Sequence, residues 1–189
     1  PWLGPANRAA VVLLPLGTHS HACAHPGGGL AFGNWTPAAE FNILIDPEAA
    51  DVVYKSGVPL TMAGLDVTLK ALVFPEDFER IRALGNRVAV VVAEWLDFFY
   101  NFHRSLGYTG APVHDAVAVA ALIKPEILTA RDYYVQIETS GDFCRGATVA
   151  DHYGFTNQPP NTHALVDIDR EAFVDLLAEA AAWYGKESE

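Results

Sequence analysis

The sequence predicts an α/β fold, with a mostly parallel open sheet flanked by helices and an antiparallel hairpin near the C-terminus. Three observations lead there. Short apolar runs alternate with helix-like segments in the first third of the chain, the pattern of strands joined by covering helices. Arg87 to Leu106 repeats its apolar residues at helical spacing. Residues 133–138 and 147–151 instead alternate around a Gly-containing turn at Ser140-Gly141-Asp142, which is hairpin patterning.

Taken in order, residues 11–16 (Val-Val-Leu-Leu-Pro-Leu) form an apolar run suited to a buried strand, and Pro15 argues against a central position for its end. Gly17 to Trp35 is glycine-rich and aperiodic, so a loop is expected. Asp46-Pro47-Glu48 reads as a helix start: an N-cap acid, a proline at the first helical position and an acid facing the dipole. That helix should run to Ser56 and stop at Gly57, with a strand following over Val58 to Leu65. Pro75 to Leu84 predicts a short helix closed by Gly85, and Arg87 to Leu106 a longer one. The latter carries a stripe of Val91, Trp95, Phe98, Phe99 and Phe102, expected to pack in the core or against another subunit. His114 to Ile123 is an Ala-rich apolar helix, and Thr162 to Ile168 a strand. The last helix, Arg170 to Tyr184, places Phe173, Leu176, Leu177, Ala180, Ala181 and Tyr184 on one stripe.

The 189 residues suit a single domain, 1–189, whose first 25 residues are atypical; 51% are apolar and 19% charged, the balance of a globular core. Twelve Lys and Arg against 23 Asp and Glu give a net charge of −11 with no basic cluster, so neither nucleic acid nor an anionic membrane is an expected partner. No apolar run approaches the roughly 20 residues of a spanning helix, and the start lacks a basic region and a small-residue cleavage site. The expected location is the cytoplasm. Cys23 and Cys144 make no disulfide framework. The chain begins at Pro1 and not at Met, which raises the expectation that a preceding segment is missing.

Among chemical motifs, Gly27-Gly28-Gly29-Leu30-Ala31-Phe32-Gly33 lacks the spacing and the helix entry of a dinucleotide fingerprint. His19, His21, Cys23 and His25 would share one face of an extended segment and suit zinc, nickel or copper. Side chains on a strand face are strung out along a line, however, where a metal needs them to converge, so these four are expected to be solvent-facing and unliganded. Asn34 to Asn42 places a carboxylate and two carboxamides, Asn34, Glu40 and Asn42, within nine residues. Glu accepts hydrogen bonds, whereas Asn both donates and accepts, which matches the vicinal hydroxyls of a sugar. Pro112-Val113-His114-Asp115-Ala116 sets an imidazole beside a carboxylate at the mouth of an apolar helix. There His114 suits proton donation near neutral pH, and Asp115 equally suits the helix dipole.

Asn34 to Asn42, Asp46-Pro47-Glu48-Ala49-Ala50, Pro59-Leu60-Thr61-Met62 through Gly64-Leu65-Asp66-Val67-Thr68, and Pro112 to Ala116 together resemble the inosine-uridine preferring nucleoside hydrolase family in order and spacing. Glu138-Thr139, Arg145-Gly146-Ala147-Thr148-Val149 and the terminal helix resemble the end of that family, so the likeness covers residues 26–184. It implies hydrolysis of the N-glycosidic bond of a ribonucleoside to base and ribose, through a ribosyl cation-like transition state. It also implies a bound calcium ion that grips the ribose hydroxyls and the attacking water. In that scheme Asn34 contacts the 5′ end of the ribose, Glu40 and Asn42 its hydroxyls, and Asp115 both calcium and ribose. His114 is the general acid toward the departing base, and all five residues are expected to line one cleft. Phe102, His103 and Tyr108 are candidates to contact the base, and a homodimer or homotetramer is expected.

The chain departs from the family at its start. Residues 1–33 contain no Asp or Glu, where the family has an aspartate-rich loop that supplies most calcium carboxylates and the base for water. Pro26-Gly27-Gly28 stands where Met-Gly-Gly is usual, and Gly4-Pro5-Ala6-Asn7 only faintly echoes a metal-binding loop. The expectation is therefore a nucleoside hydrolase-like chain, truncated at the N-terminus and impaired in turnover. A non-catalytic remnant that binds ribosyl ligands or a partner is the alternative, and a fragment with no function a third reading.

Overall fold

A computed structural model describes residues 15–16 and 33–186. The elements in chain order are β1 (Pro15–Leu16), α1 (Phe41–Ile45), α2 (Pro47–Lys55), β2 (Thr61–Gly64), α3 (Leu65–Thr68), β3 (Leu72–Val73), α4 (Pro75–Arg82), α5 (Arg87–Ser105), β4 (Ala111–Pro112), α6 (His114–Ile123), β5 (Leu128–Tyr133), β6 (Val135–Ile137), β7 (Thr148–Ala150), β8 (Thr162–Ile168) and α7 (Arg170–Lys186). The fold is α/β, as the alternation of patterns predicts. The described residues fall into two compact units, one drawn from the ranges 15–67 and 129–167 and one from 68–128 and 168–186.

In the first unit a four-stranded sheet runs in the order β1-β2-β8-β5. β1 and β2 are parallel, with Pro15 opposite Ala63, and so are β2 and β8, with Met62 opposite Ala164. α2 begins where the sequence places it: the Asp46 side chain accepts from the Ala49 N–H at 2.9 Å, Pro47 takes the first turn and Glu48 faces the dipole. Ala50 and Tyr54 of that helix, with Ile43, Leu60, Met62, Val135, Ile137 and Ala164, form the core. The Tyr54 hydroxyl donates to Met62 Sδ at 3.0 Å inside it, and burial pushes its pKa far above the usual tyrosine range. The expected strand over Val58 to Leu65 shrinks to Thr61–Gly64, because Leu65 already begins α3.

The hairpin is β6 and β7, antiparallel, with Gln136 opposite Val149. It is tied to the rest of the unit at Gly146, whose φ of 83° favours glycine and whose missing Cβ would lie 3.0 Å from Leu44 Cα. Arg145 reinforces the tie with a bidentate pair to Glu48 of α2 at 2.7 and 2.9 Å. Beyond β7, Asp151 accepts from Thr156 Oγ1 at 2.6 Å and from the Thr156 and Phe155 N–H groups at 2.7 and 2.9 Å. These bonds favour the carboxylate and hold its pKa down at about 2. A lowered folded pKa means that Asp151 stabilises the fold above the ordinary aspartate range and that this contribution fades as pH falls toward its own midpoint. A carbon-detected NMR titration should give a midpoint of about 2 for Asp151. In Thr156→Val the midpoint should climb toward the ordinary aspartate value; an unchanged midpoint would show that the hydroxyl is not its main cause.

The second unit packs α4, α5 and α7 with the two-stranded antiparallel ribbon β3-β4. Its core is Val73, Phe78, Ile81, Ala89, Ala93, Leu96, Ala111, Val174, Ala178 and Ala181. The aromatic stripe of α5 does not join this core: Trp95, Phe98 and Phe102 are 69%, 77% and 52% exposed, and only Phe99 packs against it. The buried face is instead Ala89, Ala93 and Leu96, where alanines let α4 and α7 approach closely. The stripe of α7 turns likewise, so that Phe173, Val174, Ala178 and Ala181 are buried while Ala180 and Tyr184 are exposed.

Candidate active site

The first unit gathers Asn34, Glu40 and Asn42 around the start of α1. Thr36 Oγ1 accepts from the Ala39 N–H at 2.8 Å and the Ala38 N–H at 3.2 Å, and the Trp35 and Thr36 N–H groups donate to Ala39 O, which curls the segment on itself. Asn34 Oδ1 then accepts from the Phe41 N–H at 2.9 Å, while the Trp35 and Phe41 rings meet edge-on at 5.0 Å. Glu40 is the N-cap of α1: its Oε2 accepts from the Asn42 and Ile43 N–H groups at 2.8 and 3.2 Å, and the residue is only 3% exposed. Asn34 and Asn42 are exposed. Each of the first two polar side chains thus also shapes its own loop, a duty that the pattern of sugar-binding groups did not reveal.

The second unit holds His114 and Asp115 in the first turn of α6, immediately after β4. His114 is half-buried and Asp115 exposed. The His114 Nδ1 lies 2.8 Å from Oγ1 of Thr68, a residue only 1% exposed. Burial lowers the His114 pKa, the neighbouring His103 lowers it further, and Asp115 opposes both. Thr68 escaped the sequence reading because its contact spans 46 positions; the only signal was its place in the Gly64 to Thr68 segment.

Phe102, His103 and Tyr108 also come together in this unit. His103 is buried, donates from Nδ1 to Phe99 O at 3.0 Å, and stands 4.1 Å from the Phe99 ring and 5.2 Å from the rings of Phe102 and Tyr108. That packing closes the end of α5, with Phe102 exposed and Tyr108 half-buried.

Among the described residues no three His, Cys, Asp or Glu side chains are placed to hold a metal ion. Calcium takes about six to eight oxygens, and Asp115 is the single carboxylate of the implied set, so the described residues do not fit a calcium site. His19, His21, Cys23 and His25 lie outside the described residues. No helix among the described residues is long and apolar enough to cross a membrane.

Residues 19–175 match the family described as inosine-uridine preferring nucleoside hydrolase. Similar curated proteins include the pyrimidine-specific ribonucleoside hydrolase RihA of Citrobacter koseri, 54% identical over 96% of this chain and 60% of that protein. RihA of Salmonella typhimurium is 48% identical over the same shares. The chain therefore spans about three-fifths of the length of these relatives. Among solved structures, the purine-preferring ribonucleoside hydrolase from Gardnerella vaginalis aligns over 83% of this chain and 50% of its own, with a TM-score of 0.74 and 28% identity. The plant nucleoside hydrolase PpNRh1 aligns over 80% and 50%, with a TM-score of 0.68 and 28% identity. With the motif order, the α/β fold and a family match over most of its residues in agreement, the chain belongs to the inosine-uridine preferring nucleoside hydrolase family.

Proposed function

We propose that the chain carries the ribose-contacting and base-facing residues of a ribonucleoside hydrolase that cleaves the N-glycosidic bond to base and ribose. The observation that carries this reading is the anchored imidazole: Nδ1 of His114 is committed to Thr68, so exchange with a ligand falls to Nε2. A departing base accumulates negative charge as the bond breaks, and a hydrogen-bond donor or acid at that point lowers the barrier. Asn34, Glu40 and Asn42 supply the mixed donors and acceptors that ribose hydroxyls need. Calcium would template the sugar and acidify water, and Asp115 is the one carboxylate of the implied set that the described residues offer it. A nucleoside is the expected small-molecule partner. The net charge of −11 argues against nucleic acid and anionic membranes, and a cytoplasmic location is part of the same proposal. The exposed aromatics of α5 support association of copies as a dimer or tetramer.

The experiment is an amide NMR titration of the chain with uridine, inosine, ribose and the free bases. Both nucleosides and ribose should move the Asn34, Asn42 and Asp115 signals, with little response there to base alone. Absence of any nucleoside response at these residues would overturn the reading. Binding without turnover would favour the second reading, a ribosyl-binding chain without catalysis, which the lone Asp115 in the implied metal set already supports.

A further inference from the structure

We infer that Thr68 is a positioning residue for His114: its hydroxyl donates to Nδ1 and so holds the neutral ring in the tautomer that carries its proton on Nε2. The inference rests on the reading of His114 as the group that faces the departing base.

Thr68 is the last residue of α3 and is 1% exposed, so water does not reach its hydroxyl. Among the described residues Thr68 Oγ1 has one partner, His114 Nδ1 at 2.8 Å. A threonine hydroxyl is one donor and two acceptor lone pairs, and neutral imidazole has one nitrogen of each kind. Two arrangements satisfy the distance. If the ring donated from Nδ1, the Thr68 O–H would be left buried with no acceptor, and an unmet buried donor carries the desolvation penalty of that group. If Thr68 donates to the Nδ1 lone pair, its O–H is satisfied and the oxygen forgoes only acceptor capacity, which proteins tolerate more readily. The second arrangement wins, and with Nδ1 an acceptor the ring's proton sits on Nε2.

The consequence is chemical. Neutral His114 already presents an N–H on the side away from Thr68, so a departing base would meet a hydrogen-bond donor without an imidazolium having to form first. Stabilisation by a preorganised donor requires no proton to leave the ring, so neither an imidazolate nor a threonine alkoxide arises. Helix α6 fixes the base of the side chain and Thr68 its far rotation, so both the identity and the direction of the donor are set before a ligand arrives.

The tautomer can be read in the chain as it exists, without substrate or turnover. Two-bond proton–nitrogen NMR correlations of the histidine rings, recorded above the ordinary histidine titration range, distinguish the Nε2–H from the Nδ1–H ring. The His114 pattern is assigned by its loss in His114→Gln. The wild-type chain should show His114 wholly as Nε2–H. Thr68→Val, which keeps the shape and removes the hydroxyl, should give an averaged pattern of both tautomers, and Thr68→Ser should restore the single one. An Nδ1–H or averaged ring in the wild-type chain overturns the inference by itself, even if Thr68→Val does not fold. An unchanged single tautomer in folded Thr68→Val overturns it as well. If the wild-type ring is Nε2–H and depends on Thr68 yet no nucleoside perturbs it, the Thr68 assignment is confirmed and the nucleoside reading fails instead.

Discussion

Purified and supplied with millimolar calcium, the 189-residue chain should release uracil from uridine and hypoxanthine from inosine at close to the uncatalysed rate. The reason is electrostatic. A calcium site uses about six to eight oxygens, several of them carboxylates, to replace the water stripped from a divalent ion. Residues 1–33 contribute no Asp or Glu, and the described residues bring no three acidic or metal-ligating side chains together. One carboxylate, Asp115, cannot offset that dehydration. Without the ion the attacking water keeps its ordinary acidity and the ribose loses its clamp. What is left is His114, and a single acid–base group typically supplies about 10²–10⁴-fold, against total accelerations of about 10⁶-fold or more. Base release from uridine and inosine, measured for the chain and for His114→Ala, decides the matter. Both should fall far short of an enzymatic rate, with His114→Ala below the chain by at most about 10²–10⁴-fold. Robust turnover that vanishes in His114→Ala would mean that another segment of this chain replaces the aspartate loop.

What the sequence made legible follows the range of the interactions involved. α2 was readable to within a residue because its start is local chemistry, an N-cap Asp46, Pro47 and Glu48 in consecutive positions. The hairpin was readable because alternation and a turn at Ser140-Gly141-Asp142 lie within one stretch of chain. The length of α5 was legible, but its buried face was not. Helical spacing identifies a stripe, and two stripes competed on this helix, one aromatic and one of small residues; partners α4 and α7 selected Ala89, Ala93 and Leu96. The two-residue strands β3 and β4 have no pattern of their own, since pairing between Val73 and Ala111 creates them. For the candidate site the same division holds. Glu40 was legible from a carboxylate and two carboxamides within nine residues and His114 from an imidazole beside a carboxylate at the mouth of an apolar helix, whereas the cap that Glu40 makes and the Thr68 anchor of His114 required knowing which distant or turned-back groups they meet.

Asn161 shows how much such a distant polar contact is worth, and replacing it should be among the most damaging single changes in the first unit. Its side chain acts as a short piece of strand: Oδ1 accepts from the Val135 N–H at 2.8 Å, and Nδ2 donates to Val135 O at 2.9 Å and to Tyr54 O at 3.2 Å. Oδ1 also accepts from Thr162 Oγ1 at 3.0 Å. Val135 is 1% exposed and Tyr54 3% exposed, so their backbone groups have little access to water as a substitute. Asn161→Ala removes all four bonds and strands at least the Val135 N–H and carbonyl; each buried group left unmet costs about 1–3 kcal/mol, so the loss should be about 3 kcal/mol in urea unfolding. Asn161→Asp tests the geometry more sharply. It keeps the acceptor for Val135 N–H but turns the Nδ2 donor into a carboxylate oxygen facing two carbonyls, a buried charge set against acceptors. At neutral pH it should be less stable than Asn161→Ala, and it should regain part of the difference in mild acid, where a protonated carboxyl can donate one of the lost bonds. If Asn161→Ala loses less than about 1 kcal/mol, or if Asn161→Asp is the more stable variant at neutral pH, water reaches these carbonyls and the side chain is not the strand substitute that its four bonds describe.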